Sequence, residues 1–278
     1  MSFRTIVTVT GPGLGDSDLK LAAALCGEVE GHLSVILVGV AAPPPVGEYA
    51  TVISEGWLNE RQADQDRLRQ RADAVSALLA ASPVSSDLSS VYSEEAWADE
   101  TIGRRARYAD LTIAGPELLR QDLLKYKTFE GALFHSGKPL LLLPEGSAAT
   151  LKPKRILVAW DARIEAFRAL AQSLDLLAAA ENVHLVLVDP VESEDRHGEE
   201  PGADVATYLA RHGVKVTVDR LPDQGRSVQS VLRQHAIDMA ADLLVMGAYG
   251  HSRLRQRIFG GVTRSMLEEP PLAVFLAR

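Results

Sequence analysis

The chain has 278 residues, 46% of them apolar, a single cysteine and a formal net charge of −8. That length suits two domains, and the acidity excludes sequence-independent nucleic-acid binding, which needs basic surface to displace counterions. One cysteine excludes an intrachain disulfide, which fits a cytoplasmic setting, and no apolar run reaches the length of a membrane span.

In chain order, apolar β-rich runs predict strands over 5–9, 33–40, 87–92, 111–114 and 140–143. Helical patterns predict helices over 17–30, 59–81, 95–108 and around 130–136. The opening residues read as a strand entering a turn, not as a secretory leader. Cys26 falls in a helical stretch and reads as a small core residue. Residues 41–47 and the charged helix after them, with Arg61, Arg67, Arg69 and Arg71, read as a spacer. In the second half, strands are predicted over 156–160, 183–188, 215–218, 243–246 and 272–276. Its helices are predicted over 164–180, 203–212, 227–239 and 262–268.

The two halves repeat one another. RTIVTV from Arg4 matches RILVA from Arg155, and SVILVG from Ser34 matches HLVLVD from His184 at an offset of 150. ADLTIAG from Ala109 matches ADLLVMG from Ala241, and KPLLLL from Lys138 matches PPLAVF from Pro270, both at 132. Four blocks in the same order describe a tandem duplication, with 18 extra residues between Val40 and Ala109. The join falls in residues 144–154, rich in small residues and turn formers, which gives domains 1–149 and 150–278. Near-continuous apolar strands alternating with helices predict parallel sheets covered on both faces. On such sheets ligands bind beyond the carboxyl ends of the strands, where Asp161 and Gly247 are predicted to lie.

The densest signal is LLVMGAYGHSRLRQRIFGGVTRS, from Leu243 to Ser265. A buried strand stops at Gly247, Gly250 follows, and Gly260 and Gly261 open a helix. Glycine lets backbone approach a ligand closely, and a helix start offers unpaired N–H groups and a positive dipole end. Arg253, Arg255, Arg257 and Arg264 surround it, with no acid between His251 and Arg264. Arg253, nearest the glycine turn, is the candidate phosphate ligand, and His251 a second contact.

These glycines, the ADLLVMG block and the tandem halves together resemble the universal stress proteins, of the type with two such domains in one chain. The resemblance implies two five-stranded parallel, doubly wound α/β domains, Rossmann-like and similar to the adenine nucleotide alpha hydrolases. It implies a bound adenine nucleotide, ATP, ADP or AMP, with or without Mg²⁺. Carried onto this chain, Asp161 would lie near the ribose and adenine, and Asp189 and Pro190 would border the adenine. Met246, Gly247 and Gly250 would line the sugar and phosphates, and Gly260, Gly261, Val262 and Thr263 would cradle the phosphates. Gly261 stands where the family usually has Ser or Thr; Thr263 could supply a hydroxyl instead. The first half departs further: Thr10 and Gly11 replace the aspartate, Leu118 replaces Gly250 and Thr128 replaces Gly260. One nucleotide site is therefore expected, in the second half. The resemblance also implies that residues 140–143 and 272–275 pair within the chain as a pseudo-dimer; association of two chains stays open. Ligand-dependent regulation of an unidentified protein partner is the leading function. Slow hydrolysis at the same site and a scaffold without nucleotide are the alternatives.

Other features read blandly. His32, His135, His184, His197, His212 and His235 show no metal-ligand spacing, so no metal site is expected. GALFHSGK, from Gly131, lacks the spacing and the final hydroxyl of a Walker loop. The glycines from Gly11 to Gly15 lack the dinucleotide spacing. The acidic run 192–201 reads as a solvated loop.

Overall fold

The computed structural model describes residues 3–41, 55–147, 149–190, 200–248 and 261–278. Their contacts divide them into two units, Phe3–Ser136 and Gly137–Arg278.

The first unit runs β1 (Thr5–Thr10), α1 (Ser17–Glu28), β2 (His32–Ala41), α2 (Glu55–Ala80), β3 (Ser86–Glu94), α3 (Ala98–Ala106), β4 (Leu111–Ala114), α4 (Pro116–Leu119) and α5 (Asp122–Glu130). Its strands lie in the order β3-β2-β1-β4, all parallel. The second unit begins with β5 (Leu140–Leu142) and continues β6 (Arg155–Ala159), α6 (Ile164–Gln172), α7 (Leu174–Ala179), β7 (Asn182–Val188), α8 (Ala203–Arg211) and β8 (Val216–Leu221). It ends with α9 (Val228–Asp238), β9 (Leu243–Gly247), α10 (Gly261–Glu268) and β10 (Ala273–Ala277). Here the order is β5-β10-β9-β6-β7-β8, with β5 alone antiparallel. The pairing expected between residues 140–143 and 272–275 is present, with Leu142 opposite Val274 and Leu140 opposite Leu276.

Burial explains the apolar runs. β1, β4, β9 and β10 are buried along almost their whole length because helices cover them. β3 and β8, the outermost strands in the two orders, carry the polar residues and remain half-exposed.

The repeat is built into the backbone by a pair of aspartates. Asp110 Oδ2 accepts the N–H groups of Arg4 (2.7 Å) and Thr5 (2.9 Å) at the start of β1. Asp242 Oδ2 accepts those of Lys154 (2.9 Å) and Arg155 (2.8 Å) at the start of β6. Each aspartate's own N–H bonds back, Asp110 to the Thr5 carbonyl and Asp242 to that of Arg155, both at 2.8 Å. The Ala-Asp of the two matching blocks thus clips the first strand of its half to the fourth.

Two local departures from the sequence reading have physical causes. The helix predicted over 164–180 is two helices, because the buried Ser173 hydroxyl bonds back to the Leu170 carbonyl at 3.1 Å and the chain breaks there. Residues 116–129, given no element from the sequence, form α4 and nearly all of α5, with Pro116 fitting the first turn of α4. The helix predicted around 130–136 is present: Gly131–Ser136 continues α5 as a π-helix packed on α3, in line with GALFHS not being a phosphate loop.

Candidate functional site

In the second unit β6 lies between β7 and β9, and the chain passes from β6 first to the β7 side and later to the β9 side. The crevice between β6 and β9 is therefore the topological switch point. Register brings the predicted strand-end residues to one edge. Ala159 lies opposite Val186 and Met246, and the Trp160 N–H reaches the Val186 carbonyl at 2.9 Å. Asp161 follows directly. Asp189 and Pro190 leave β7 at this end, and Gly247 closes β9 opposite Ala277.

Asp161 is exposed and does not itself cap α6, whose N-cap is Arg163. Its Oδ1 accepts the Arg163 N–H at 3.1 Å, and its Oδ2 lies 3.6 Å from the Arg163 guanidinium. The turn carries Ala162 in the left-handed region at φ +60°, and Asp189 adopts φ +42° at the end of β7. Two non-glycine residues thus hold disfavoured backbone on one edge, a kind of strain that collects at functional sites. Asp161 and Asp189 are both exposed.

Gly247 serves packing. A Cβ there would lie 2.5 Å from the Ala166 nitrogen and 2.6 Å from the Glu165 carbonyl carbon, so only glycine admits the first turn of α6 against β9. Met246 is 5% exposed and sits in the core. Gly250, His251, Arg253 and Gly260 lie outside the described residues, as do Arg255 and Arg257. Beyond them α10 starts at Gly261, which is exposed, with Val262 half-buried. Thr263 shares the buried face of α10 with Met266 and Leu267.

The first unit has a different arrangement at the matching place. The offset of 132 aligns residues 117–128 with 249–260, and these residues lie in α4 and α5. Thr128, aligned with Gly260, is fully buried and bonds its hydroxyl to the Leu124 carbonyl at 2.8 Å. The N-terminus of α4 is capped from inside the unit: Asp18 Oδ1 accepts the Glu117 N–H at 3.1 Å and Oδ2 the Leu118 N–H at 2.9 Å. Gly115, which matches Gly247, makes room for that carboxylate; a Cβ would fall 2.4 Å from Asp18 Cγ. Burial pushes the Asp18 carboxyl above its ordinary value, with the two amide bonds pulling the other way. Sequence reading missed Asp18 because its partners lie about a hundred residues away.

It also missed a convergence of His184, Asp219 and His235, which spacing did not reveal. No helix among the described residues is long and apolar enough to cross a membrane.

Comparison with known proteins agrees with this architecture. Residues 152–278 match the model of the Universal stress protein family. A universal stress protein from Synechocystis sp. (strain ATCC 27184 / PCC 6803 / Kazusa) is 36% identical over 70 residues, which span 25% of this chain and only 23% of that protein. A universal stress protein structure from Archaeoglobus fulgidus DSM 4304 covers 98% of this chain and 96% of its own, with a TM-score of 0.64 at 14% identity. A candidate universal stress protein from Pseudomonas aeruginosa UCBPP-PA14 covers 99% and 93%, with a TM-score of 0.58 at 15% identity. Residues 152–278 therefore match the Universal stress protein family, and along its length the chain shares the fold of these universal stress protein structures.

Proposed function

We propose that the chain binds one adenine nucleotide, in its second half, and that binding regulates its association with a protein partner. The observation that carries this reading is the contrast between the halves. The glycine-spaced segment of the second half begins at Gly247, on the carboxyl edge at the β6–β9 switch point, while its counterpart in the first half is helical and capped by Asp18.

The residues at that edge fit such a ligand. The exposed Asp161 carboxylate suits ribose hydroxyls, and Asp189 and Pro190 would flank the base. Phosphates would take backbone N–H groups from Gly250, Gly260 and the start of α10, with charge supplied by Arg253 and His251. Gly261, Val262 and Thr263 would donate their N–H groups, Gly261 having no side chain to add. Mg²⁺ would accompany the phosphates, held chiefly by them and by water. With ligand bound, the segment between Gly247 and α10 would present an altered surface to the partner.

Photolabelling of the full chain with 8-azido-ATP, followed by peptide mapping, tests the placement. Label in residues 152–278 that unlabelled ATP competes away is expected. Competable label confined to residues 3–136, or none at all, would overturn the reading.

A further inference from the structure

We propose that His184, Asp219 and His235 form a binding site for a divalent transition-metal ion such as zinc. The three come from different elements: His184 from β7, Asp219 from the edge strand β8 and His235 from the last turn of α9. Parallel register sets the first two. His184 lies opposite Thr217 and Val186 opposite Asp219, so residues 184 and 219 sit diagonally on the same face of the sheet. α9 packs against β7 and delivers the third. It is fixed by its Ser227 cap and by buried Val231, Leu232 and Ala236.

The ligand atoms converge on one point. Asp219 Oδ2 lies 2.7 Å from His184 Nδ1 and 2.8 Å from His235 Nε2. All three atoms fall within 4.8 Å of one another, and all three residues are half-buried. The rings meet edge to face with centroids 6.2 Å apart, which keeps both nitrogens directed at the carboxylate. Without an ion, one oxygen accepts from two imidazoles. With one, metal–ligand bonds of about 2.0–2.2 Å set tetrahedral ligand separations near 3.3 Å, so Asp219 has to give by about half an ångström. An edge strand can supply that movement.

Donor chemistry names the ion class. Two imidazoles and one carboxylate suit zinc and its neighbours in the divalent series, and all-oxygen preferences exclude calcium and magnesium. Three protein ligands leave a coordination position for water. The site belongs to the second half: the first-half residue aligned with His184 is Ser34. It is separate from the nucleotide edge, since His184 stands five residues before Asp189 along β7, about 17 Å of extended chain. A bound ion would tie β7, β8 and α9 together and raise the stability of this unit with the logarithm of free metal concentration above its Kd.

The untagged full chain, stripped with EDTA and free of nucleotide, would be titrated calorimetrically with zinc sulfate, beside His235→Gln and Asp219→Asn. One zinc per chain is expected for the native protein, with affinity lowered about 100-fold or more in each variant and native circular dichroism retained. Absent saturable binding, or equal affinity in a folded variant, would overturn the proposal. Cobalt(II) supplies a readout on the native chain should either variant fail to fold. Intense visible bands of a four-coordinate ion support the site, and the weak spectrum of hexaaqua cobalt refutes it.

Discussion

Asp18 Oδ2 accepts the backbone N–H of Leu118 at 2.9 Å, across about a hundred residues of sequence. With the Glu117 bond beside it, this carboxylate occupies the helix start that follows β4, where the first half would otherwise present N–H groups to an anion. A carboxylate from α1 thus fills this helix start, and Leu118 is buried.

Asp18→Ala should lower stability by about 1–3 kcal/mol, because it leaves the Glu117 and Leu118 N–H groups without their acceptor. Its pH dependence has a definite sign. Burial raises the folded carboxyl above 3.8, so the folded chain holds this proton more tightly than the unfolded chain. The associated stability is fully present below the ordinary value and declines as pH rises through the raised one. Urea denaturation across that window should show the gap between native and variant narrowing as pH rises. A widening gap would contradict the assignment.

Gly247 and Gly261 should behave oppositely on substitution by alanine. At Gly247 the new Cβ meets the backbone of Glu165 and Ala166, which cannot step aside, and a loss of about 1–3 kcal/mol is expected. At Gly261 the Cβ meets nothing among the described residues, and a helix start gains up to about 1 kcal/mol from alanine. Thermal unfolding of the two variants decides the point. Gly261→Ser should in addition tighten nucleotide binding several-fold, by about 1 kcal/mol of new hydrogen bonding.

The repeated aspartate clips should be energetically parallel. Asp110→Ala and Asp242→Ala each release two strand-start N–H groups, at a cost of about 1–2 kcal/mol to the unit concerned. Hydrogen exchange should show faster amides at Arg4 and Thr5 in the first variant, and at Lys154 and Arg155 in the second.

Cys26 is fully buried, and burial pushes its thiol up to about 12. The native chain should therefore resist thiol reagents at neutral pH and yield one reactive thiol only in denaturant, as an assay with Ellman's reagent would show.

Which features were readable in the sequence follows from their range. The ten strands and the duplication were legible because a parallel strand is a local run of apolar residues, and because matched blocks at offsets of 150 and 132 preserve order. α4 and α5 were not, since residues 116–130 owe their shape to Pro116 and to an anchor at Asp18. Gly247 announced a ligand loop by spacing, yet its own constraint is the approach of α6. His184, Asp219 and His235 stand 35 and 16 residues apart and become neighbours only through the β7–β8 register and the seat of α9.

The most direct test of the account is the stoichiometry of Mg-ATP binding, measured by calorimetric titration of the nucleotide-free full chain beside Gly260→Val. One site per chain, abolished in the variant, is the predicted result. Two sites per chain, or binding indifferent to Gly260, would contradict the division between an open second half and a first half closed by Asp18; no binding by the folded native chain would remove the nucleotide altogether.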